Sequence, residues 1–452
     1  MPLHADSETA SDTPVAPPAD AAQHALQQAM QAHGTGRLDT ARGLYLQLLA
    51  ADPRHPDALH LLGVLEAQQG RLERAAELIG QAIAVRPDEA MFHNNMGNVQ
   101  IERGRAAEAE ASYVRAIERD PARLDALNNL GVLLGRRGDV AGAERLLQRV
   151  LELAPDFTDA RQNLANHLLR AGRPLDAVRQ CVDGLVTAPR STVLRRMLGA
   201  AYSTLGMPEA AADVYRQWLA QEPGDPVALH HLQAIVGEQV PERASDAYVS
   251  RVFDSFAGSF DAKLSDLSYR APQHVAEAVA RHAGAPGRHL AVLDAGCGTG
   301  LCGPLLQPWA AQLSGVDLSE GMLRKAVARA VYDELLHGEL VAFLRMRPAA
   351  WDLVVSADTL CYFGALEDFA AAAHAALRGP GLLVFTVEAH ADADGEPAYR
   401  LQQHGRYSHR RSYVEAALRG AGMQPLELQS VVLRMEAGAP VQGWLVSARR
   451  AG

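Results

Sequence analysis

The chain has 452 residues, too many for one ordinary core, and at 48% hydrophobic and 21% charged it reads as a globular protein of two or three domains. A formal net charge of −10 excludes an overall basic surface, so a nucleic-acid partner is not expected, although a local patch is compatible with that total. No apolar run approaches the ~20 residues needed to span a bilayer, so no membrane association is expected either.

The four cysteines, Cys181, Cys297, Cys302 and Cys361, form no C-x-x-C pair. No zinc or redox motif is therefore visible, no metal is expected, and the cysteine usage suits a cytoplasmic protein. Residues 1–20 are rich in Pro, Ala, Ser and Asp and lack a basic stretch followed by an apolar core. That composition predicts a disordered tail and not a signal peptide.

Residues 21–237 carry an internal repeat. Prolines stand at Pro53, Pro87, Pro121, Pro155, Pro189 and Pro223, each 34 residues after the last. Twelve residues before each is an alanine (Ala41, Ala75, Ala109, Ala143, Ala177, Ala211), and four after each alanine is a larger side chain (Tyr45, Ile79, Tyr113, Leu147, Cys181, Tyr215). Gly63, Gly97, Gly131 and Gly199 share a further register, which Ala29 and Ala165 fill elsewhere. This pattern resembles the tetratricopeptide repeat, a helix–turn–helix unit that stacks because one unit cannot bury its apolar face alone. The small residues predict close helix approach, the large ones a filling between neighbouring units, and the prolines the turns. Six repeats are expected, capped by a helix over Pro226 to Gly237.

Asn95, Asn129 and Asn163 fall in one repeat register, and Asn94, Asn128 and Gln162 in the adjacent one. Carboxamides both donate and accept, so such a ladder can pair with an extended peptide backbone. It resembles the asparagine ladder in the repeats of O-linked N-acetylglucosamine transferase. A protein or peptide partner along this groove is one reading; asparagine as a merely tolerated groove residue is the other. The oligomeric state is not legible.

Residues 238–285 break the repeat frame and read as a linker with helices. Phe253, Phe256 and Phe260 are spaced three and four apart, which predicts one helical face. From residue 286 strands and helices alternate. Residues 290–293 (Leu-Ala-Val-Leu) suit a buried parallel strand and run into Asp294-Ala-Gly296-Cys-Gly298-Thr-Gly300. Glycines in such a turn let the backbone approach a ligand and adopt positive φ. A dinucleotide fingerprint fits only as Gly298-x-Gly300-x-x-Gly303, which begins late after the strand. Further strands are expected at Gln312–Val316 ending in Asp317, Tyr332–Gly338 ending at Glu339, Trp351 onward, and Leu382–Val387 ending at Glu388. An antiparallel pair over Gln429–Arg434 and Gln442–Ser447 closes the sheet.

The run V-L-D-x-G-C-G-T-G resembles motif I of class I S-adenosylmethionine (SAM)-dependent methyltransferases. Asp317-Leu-Ser-Glu-Gly-Met322-Leu and Trp351-Asp-Leu-Val-Val-Ser-Ala-Asp358 resemble later motifs of that family, and the whole chain resembles a bacterial family of predicted methyltransferases fused to tetratricopeptide repeats. The resemblance implies SAM as cofactor and a Rossmann-like, mostly parallel seven-stranded sheet over 286–452. It implies Asp294 near the amino-acid end of SAM and Gly296, Gly298 and Gly300 lining the loop. Asp317 would take the ribose hydroxyls, and Leu318 and Met322 the adenine face. Glu339 and the backbone of Leu340 would meet the adenine edge, with Ser356, Ala357 and Asp358 beside the sulfonium. Many members precede the first strand with an F/Y-D-x-x-A-x-x-Y/F-D helix over the cofactor. On that pattern Phe256, Phe260 and Tyr269 flank the pocket; a plain packing helix is the alternative. A general base helps only if the nucleophile arrives protonated. The candidates are His409, the first choice, and Tyr362, with Asp358, Glu388 and Tyr407 also near strand ends. Cys297 and Cys302 read as packing residues. The expected function is methyl transfer to an acceptor that the sequence does not name, with the repeats recruiting a protein. The alternatives are a small-molecule methyltransferase whose repeats serve assembly, and a non-catalytic SAM-binding scaffold.

Overall fold

A computed structural model describes residues 19–393, 395–436 and 438–451. The tail expected over residues 1–20 lies outside the described residues as far as 18, and Ala19 already opens the first helix. Packing divides the chain into two compact units, Met1–His167 and Leu168–Gly452.

The first unit is built of paired helices. Second helices such as Leu38–Ala51, Leu72–Val85 and Ala106–Arg119 each stop two residues before the repeat proline, which supplies no N–H to continue them. The repeat alanines Ala41, Ala75, Ala109 and Ala143 are fully buried. The large residue packs against the next unit, as the spacing suggested: Ile79 clusters with Val99, and Tyr113 with Leu130 and Leu133. It also lies over the glycine of its own helix pair: Ile79 over Gly63, Tyr113 over Gly97, Leu147 over Gly131. A second glycine register, passed over in the sequence, turns the chain within each pair: Gly36, Gly70, Gly104 and Gly138, all at positive φ.

The asparagines hydrogen-bond to one another from repeat to repeat. Asn129 Nδ2 donates to Asn94 Oδ1 at 3.1 Å, and Asn163 Nδ2 donates to Asn128 Oδ1 at 2.9 Å. Asn95 meets the His60 ring at 2.8 Å, and Asn94 also donates to Asp125. These bonds run between the two registers, so the amide donors of Asn129 and Asn163 are engaged within the repeats.

The second unit begins with repeat helices Pro174–Thr187, Thr192–Thr204, Pro208–Gln221 and Pro226–Val236. The last is capped by the Asp225 carboxylate, which accepts from Val227 and Ala228 N–H, and ends on Gly237 in the left-handed region. Helices Asp246–Phe256, Phe260–Asp266 and Ala271–His282 follow. The three phenylalanines do not share one helix, because a 3-10 turn over Ala257–Ser259 separates Phe260 from the other two. Their rings still cluster, with centroids 5.5–6.0 Å apart.

Among the described residues nine strands form the sheet: β1 (Leu290–Ala295), β2 (Ala310–Asp317), β3 (Glu334–His337), β4 (Trp351–Ser356), β5 (Leu377–Ala389), β6 (Tyr399–Leu401), β7 (Tyr407–His409), β8 (Met423–Glu436) and β9 (Ala439–Arg450). The order is β3-β2-β1-β4-β5-β7-β6, with β9 antiparallel to β5 and paired to β8. The two strands beyond the expected seven are β6 and β7; three residues give no alternation to read. β1 and β4 are covered on both faces, Leu293 and Val354 by one apolar cluster, Val292 and Leu353 by the other.

The expected border at 237/238 does not separate compact units, because the last repeat helix packs into the α/β part. The His230 ring stacks on Tyr248 with centroids 3.9 Å apart, and His230 Nε2 bonds the Gly405 carbonyl at 2.8 Å. Arg251 pairs with the buried Asp225 at 3.0 Å, and Tyr407 Oη donates to the Pro241 carbonyl at 2.7 Å.

A Cβ added at Gly97 would stand 2.4 Å from the Tyr113 ring. Gly97→Ala is expected to cost about 1–3 kcal/mol by displacing that ring, read as a lower denaturant midpoint. An unchanged midpoint would mean that Tyr113 yields freely and that the glycine register does not set helix approach.

Candidate active site

The carboxyl ends of β1, β2 and β4 open on one cavity of about 1460 Å³, counting its mouth. Crevices at this edge are where open parallel sheets bind ligands, since the strand tips leave backbone groups free. The loop after β1 forms one wall. Gly296 and Gly298 both have positive φ. A Cβ on Gly296 would run into Thr359 at 2.3 Å, whereas one on Gly298 would meet no atom within 4 Å. Both glycines line the cavity, and at Gly298 the bare backbone faces open space.

Asp317, at the tip of β2, fixes this loop. Its Oδ2 accepts from Gly298 N–H and its Oδ1 from Ser319 N–H, both at 2.8 Å. Burial raises its pKa against these backbone donors. Leu318, Met322 and Leu340 supply an apolar surface beside it. Glu339 lines the same region but is the N-cap of Leu340–Met346, accepting from Val341 and Ala342 N–H. The third strand stops at His337, short of the expected end, because Glu339 starts this helix.

Asp294 and Gly300 do not line the cavity. Asp294 is 1% exposed beneath the loop, where its Oδ2 accepts from Tyr332 Oη at 2.6 Å and its Oδ1 has no partner among the described residues. Burial lifts its pKa to about 7, with Tyr332 opposing and Asp317 adding to the rise. A Cβ on Gly300 would meet Tyr332 and Arg329, so that glycine allows the loop to fold down on its support.

Helices Asp246–Phe256 and Phe260–Asp266 cover the cavity, with Phe256 and Phe260 in its wall, and Tyr269 lines it too. The acids flanking the phenylalanines tie this cover down. Asp254 Oδ1 accepts from Ser319 Oγ at 2.5 Å and Gly321 N–H at 3.0 Å. Asp261 accepts from Thr299 Oγ1 at 2.5 Å and pairs with Arg329 at 2.7 Å. Lid and packing helix are thus one element.

Beyond β4, Ala357, Asp358 and Tyr362 line the cavity. Ser356 lies behind them, its Oγ donating to the Ala295 carbonyl at 2.8 Å. His409 does not reach the cavity and is no base for it. It is fully buried, its Nε2 meets the Gly364 carbonyl at 3.1 Å, its ring stacks on Tyr413, and burial lowers its pKa to about 4. Glu388 and Tyr407 also stand outside the lining. Cys297, Cys302 and Cys361 line it as thiols that burial holds protonated, which suits packing rather than attack.

Sequence reasoning missed Arg406, Arg434 and Glu436, which close the far end. The signal was available in Val431-Val-Leu-Arg434-Met-Glu436, where two charges interrupt an apolar strand. Such a residue within a buried run needs a partner, and Arg434 has three.

A methyltransferase-domain family matches residues 292–381, and tetratricopeptide-repeat families match 26–90, 72–123, 94–156, 136–185 and 192–235. The chain thus carries tetratricopeptide repeats followed by a methyltransferase domain. Human methyltransferase-like protein 27 is 31% identical over 118 residues, 26% of this chain and 47% of its own. The chain therefore spans about half the length of that curated relative. Among solved structures, the type IV pilus biogenesis factor PilW is 24% identical, covering 48% of this chain and 98% of its own at a TM-score of 0.43. YrrB, described as a tetratricopeptide-repeat protein with an unusual peptide-binding site, is 21% identical, covering 41% and 96% at 0.35. No described helix is long and apolar enough to cross a membrane.

Asp294 has a pH consequence. Its folded pKa lies above the ordinary carboxylate value, so the folded state binds the extra proton, and stability falls as pH rises from about 4 to about 7. Asp294→Asn is expected to flatten the slope of melting temperature against pH in that window. A slope identical to the parent's would place the carboxylate's ionisation elsewhere.

Proposed function

We propose that the protein is a SAM-dependent methyltransferase whose repeats recruit a protein substrate or partner. The observation that carries the cofactor reading is the Asp317 carboxylate holding the bare Gly298 backbone at the edge of a covered cavity. Each Asp317 oxygen accepts one backbone N–H and retains a lone pair for a ribose hydroxyl. Leu318, Met322 and Leu340 give a purine an apolar seat, and the backbone of Leu340 is at hand for its edge. The residues present therefore fit the cofactor. Asp294 acts from below, through Tyr332, as a support for the loop, not as a direct contact. When bound, SAM supplies a methyl group on a sulfonium sulfur, open to in-line displacement. The chain's part is to orient the acceptor toward that carbon and to exclude water, which the cover tied by Asp254 and Asp261 accomplishes.

For the repeats, the support is the pair of half-buried carboxamides Asn129 and Asn163 in one register, whose amide groups donate to Asn94 and Asn128 and whose carbonyls can accept from a peptide.

Calorimetry is expected to show binding of SAM and of S-adenosylhomocysteine to the parent. Asp317→Ala should weaken both by about 10–100-fold, the worth of charge-assisted hydrogen bonds. Undiminished affinity in that variant would remove the ribose assignment. With methyl-labelled SAM and host lysate, label should enter protein, and a variant combining Asn95→Ala and Asn129→Ala should lose label while retaining SAM affinity. Label confined to small solutes would instead support repeats that serve assembly.

A further inference from the structure

A cluster of buried charges closes the end of the cavity beyond β4. Arg434 donates from Nη1 to Asp358 Oδ2 at 2.5 Å, from Nε to Glu436 Oε1 at 2.7 Å, and from Nη2 to Glu388 Oε1. Arg406 donates from Nε to Glu388 Oε1 at 2.5 Å and from Nη2 to both oxygens of Glu436 at 2.7 Å. All three nitrogens of Arg434 are engaged inside the cluster, so most of that guanidinium's donors are already committed. His404 stands 3.5 Å from Glu388, and burial with Arg406 lowers its pKa to about 4, so it adds no positive charge near neutrality. Three carboxylates thus face two guanidiniums.

One polar atom of the cluster is unpartnered. Asp358 Oδ1 is buried and has no hydrogen-bond partner among the described residues, although Asp358 lines the cavity. A carboxylate oxygen only accepts, so its missing partner is a donor. Leaving such an oxygen bare is costly, which favours a ligand that supplies the bond. The backbone here is also unusual: Asp358 has φ +58°, a left-handed conformation that few residues other than glycine adopt. It is held there by Thr386 Oγ1, which accepts from Asp358 N–H at 2.8 Å. Strain retained at a cavity wall is a mark of function.

The chemistry of the occupant follows. An anionic acceptor would add a second negative charge to a cluster already in excess by one. A neutral hydroxyl supplies a donor but no compensating charge. A protonated amine supplies both. The aromatic walls, Phe256, Tyr269 and Tyr362, suit a cation as well, and Lys263 already lies 4.9 Å from the Phe256 ring centroid.

We propose that the methyl acceptor is an amine nitrogen and that Asp358 Oδ1 receives the proton it gives up, a proposal that rests on the SAM reading. The acceptor arrives as an ammonium and passes one proton to Asp358. The freed lone pair forms the nitrogen–carbon bond, the carbon–sulfur pair stays on sulfur as a neutral thioether, and the product is a methylated ammonium. Asp358 then returns its proton to solvent.

The test uses the full chain and three nucleosides in calorimetry: S-adenosylhomocysteine, SAM, and sinefungin, which carries a protonated amine on carbon where SAM carries methyl on sulfur. Sinefungin is expected to bind about tenfold more tightly than either of the others, the worth of one charge-assisted hydrogen bond. Asp358→Asn should erase its advantage over SAM. Sinefungin binding no tighter than SAM in the parent overturns the proposal, and that comparison stands even if the variant does not fold. Equal losses for SAM and sinefungin in Asp358→Asn overturn it too, because the carboxylate would then serve only the sulfonium charge. Binding by none of the three is a different result, which removes the cofactor reading and this proposal with it.

Discussion

The Asp317 carboxylate joins the ends of two strands. By accepting the Gly298 N–H it draws the loop after β1 across to β2, and by accepting the Ser319 N–H it starts the next helix. A parallel sheet leaves such ends unpaired, so something must satisfy the backbone there. Here one side chain does so for both connections, and the bend it fixes is the wall of the cavity. Asp294 and Tyr332 brace the same bend from beneath. Two acids at adjacent strand tips therefore divide the work, one facing the ligand space and one carrying the loop.

The cover over the cavity depends on the same loops. Asp254 caps onto Ser319 and Gly321, and Asp261 onto Thr299, so the segments that hold Asp317 and Gly298 also anchor the phenylalanine cluster. Changes at the Asp317 end of the cavity are therefore felt in the cover, and the reverse. Opposite them, the Arg434 cluster is ordered by ion pairs that burial strengthens; Arg406 and Arg434 hold Glu436 down to about 2 in spite of its burial.

Much of this was legible in the residues. The 34-residue periodicity revealed the repeats because each unit must present the same face to the next. Strands β1, β2, β4 and β5 were legible as apolar runs ending in acids, since burial on both faces leaves few residue choices. Asp317, Gly298, Met322, Asp358 and the aromatic residues Phe256, Phe260 and Tyr269, all singled out by the motifs, line one cavity. What stayed hidden depends on contacts distant in sequence. Nothing local tells that Asp294 turns under its loop toward Tyr332, or that His409 turns toward Gly364 and Tyr413. Short strands β6 and β7 have no periodicity. Arg434 and Arg406 acquire meaning only when β8 and the turn before β7 are brought to Glu388, 46 and 18 residues away.

The turn before β7 carries one more implication. Gly405 gives its carbonyl to His230, and a side chain there would strike Tyr248 and His231, while its neighbour Arg406 reaches the charged cluster. A solenoid lengthens or shortens by whole modules, each contacting only its neighbours. Duplication and loss of modules are consequently free to occur toward the amino terminus. The final helix, Pro226–Val236, is fixed in place, because exchanging it would unseat the residue beside Arg406. In evolutionary terms the last module belongs with the α/β domain.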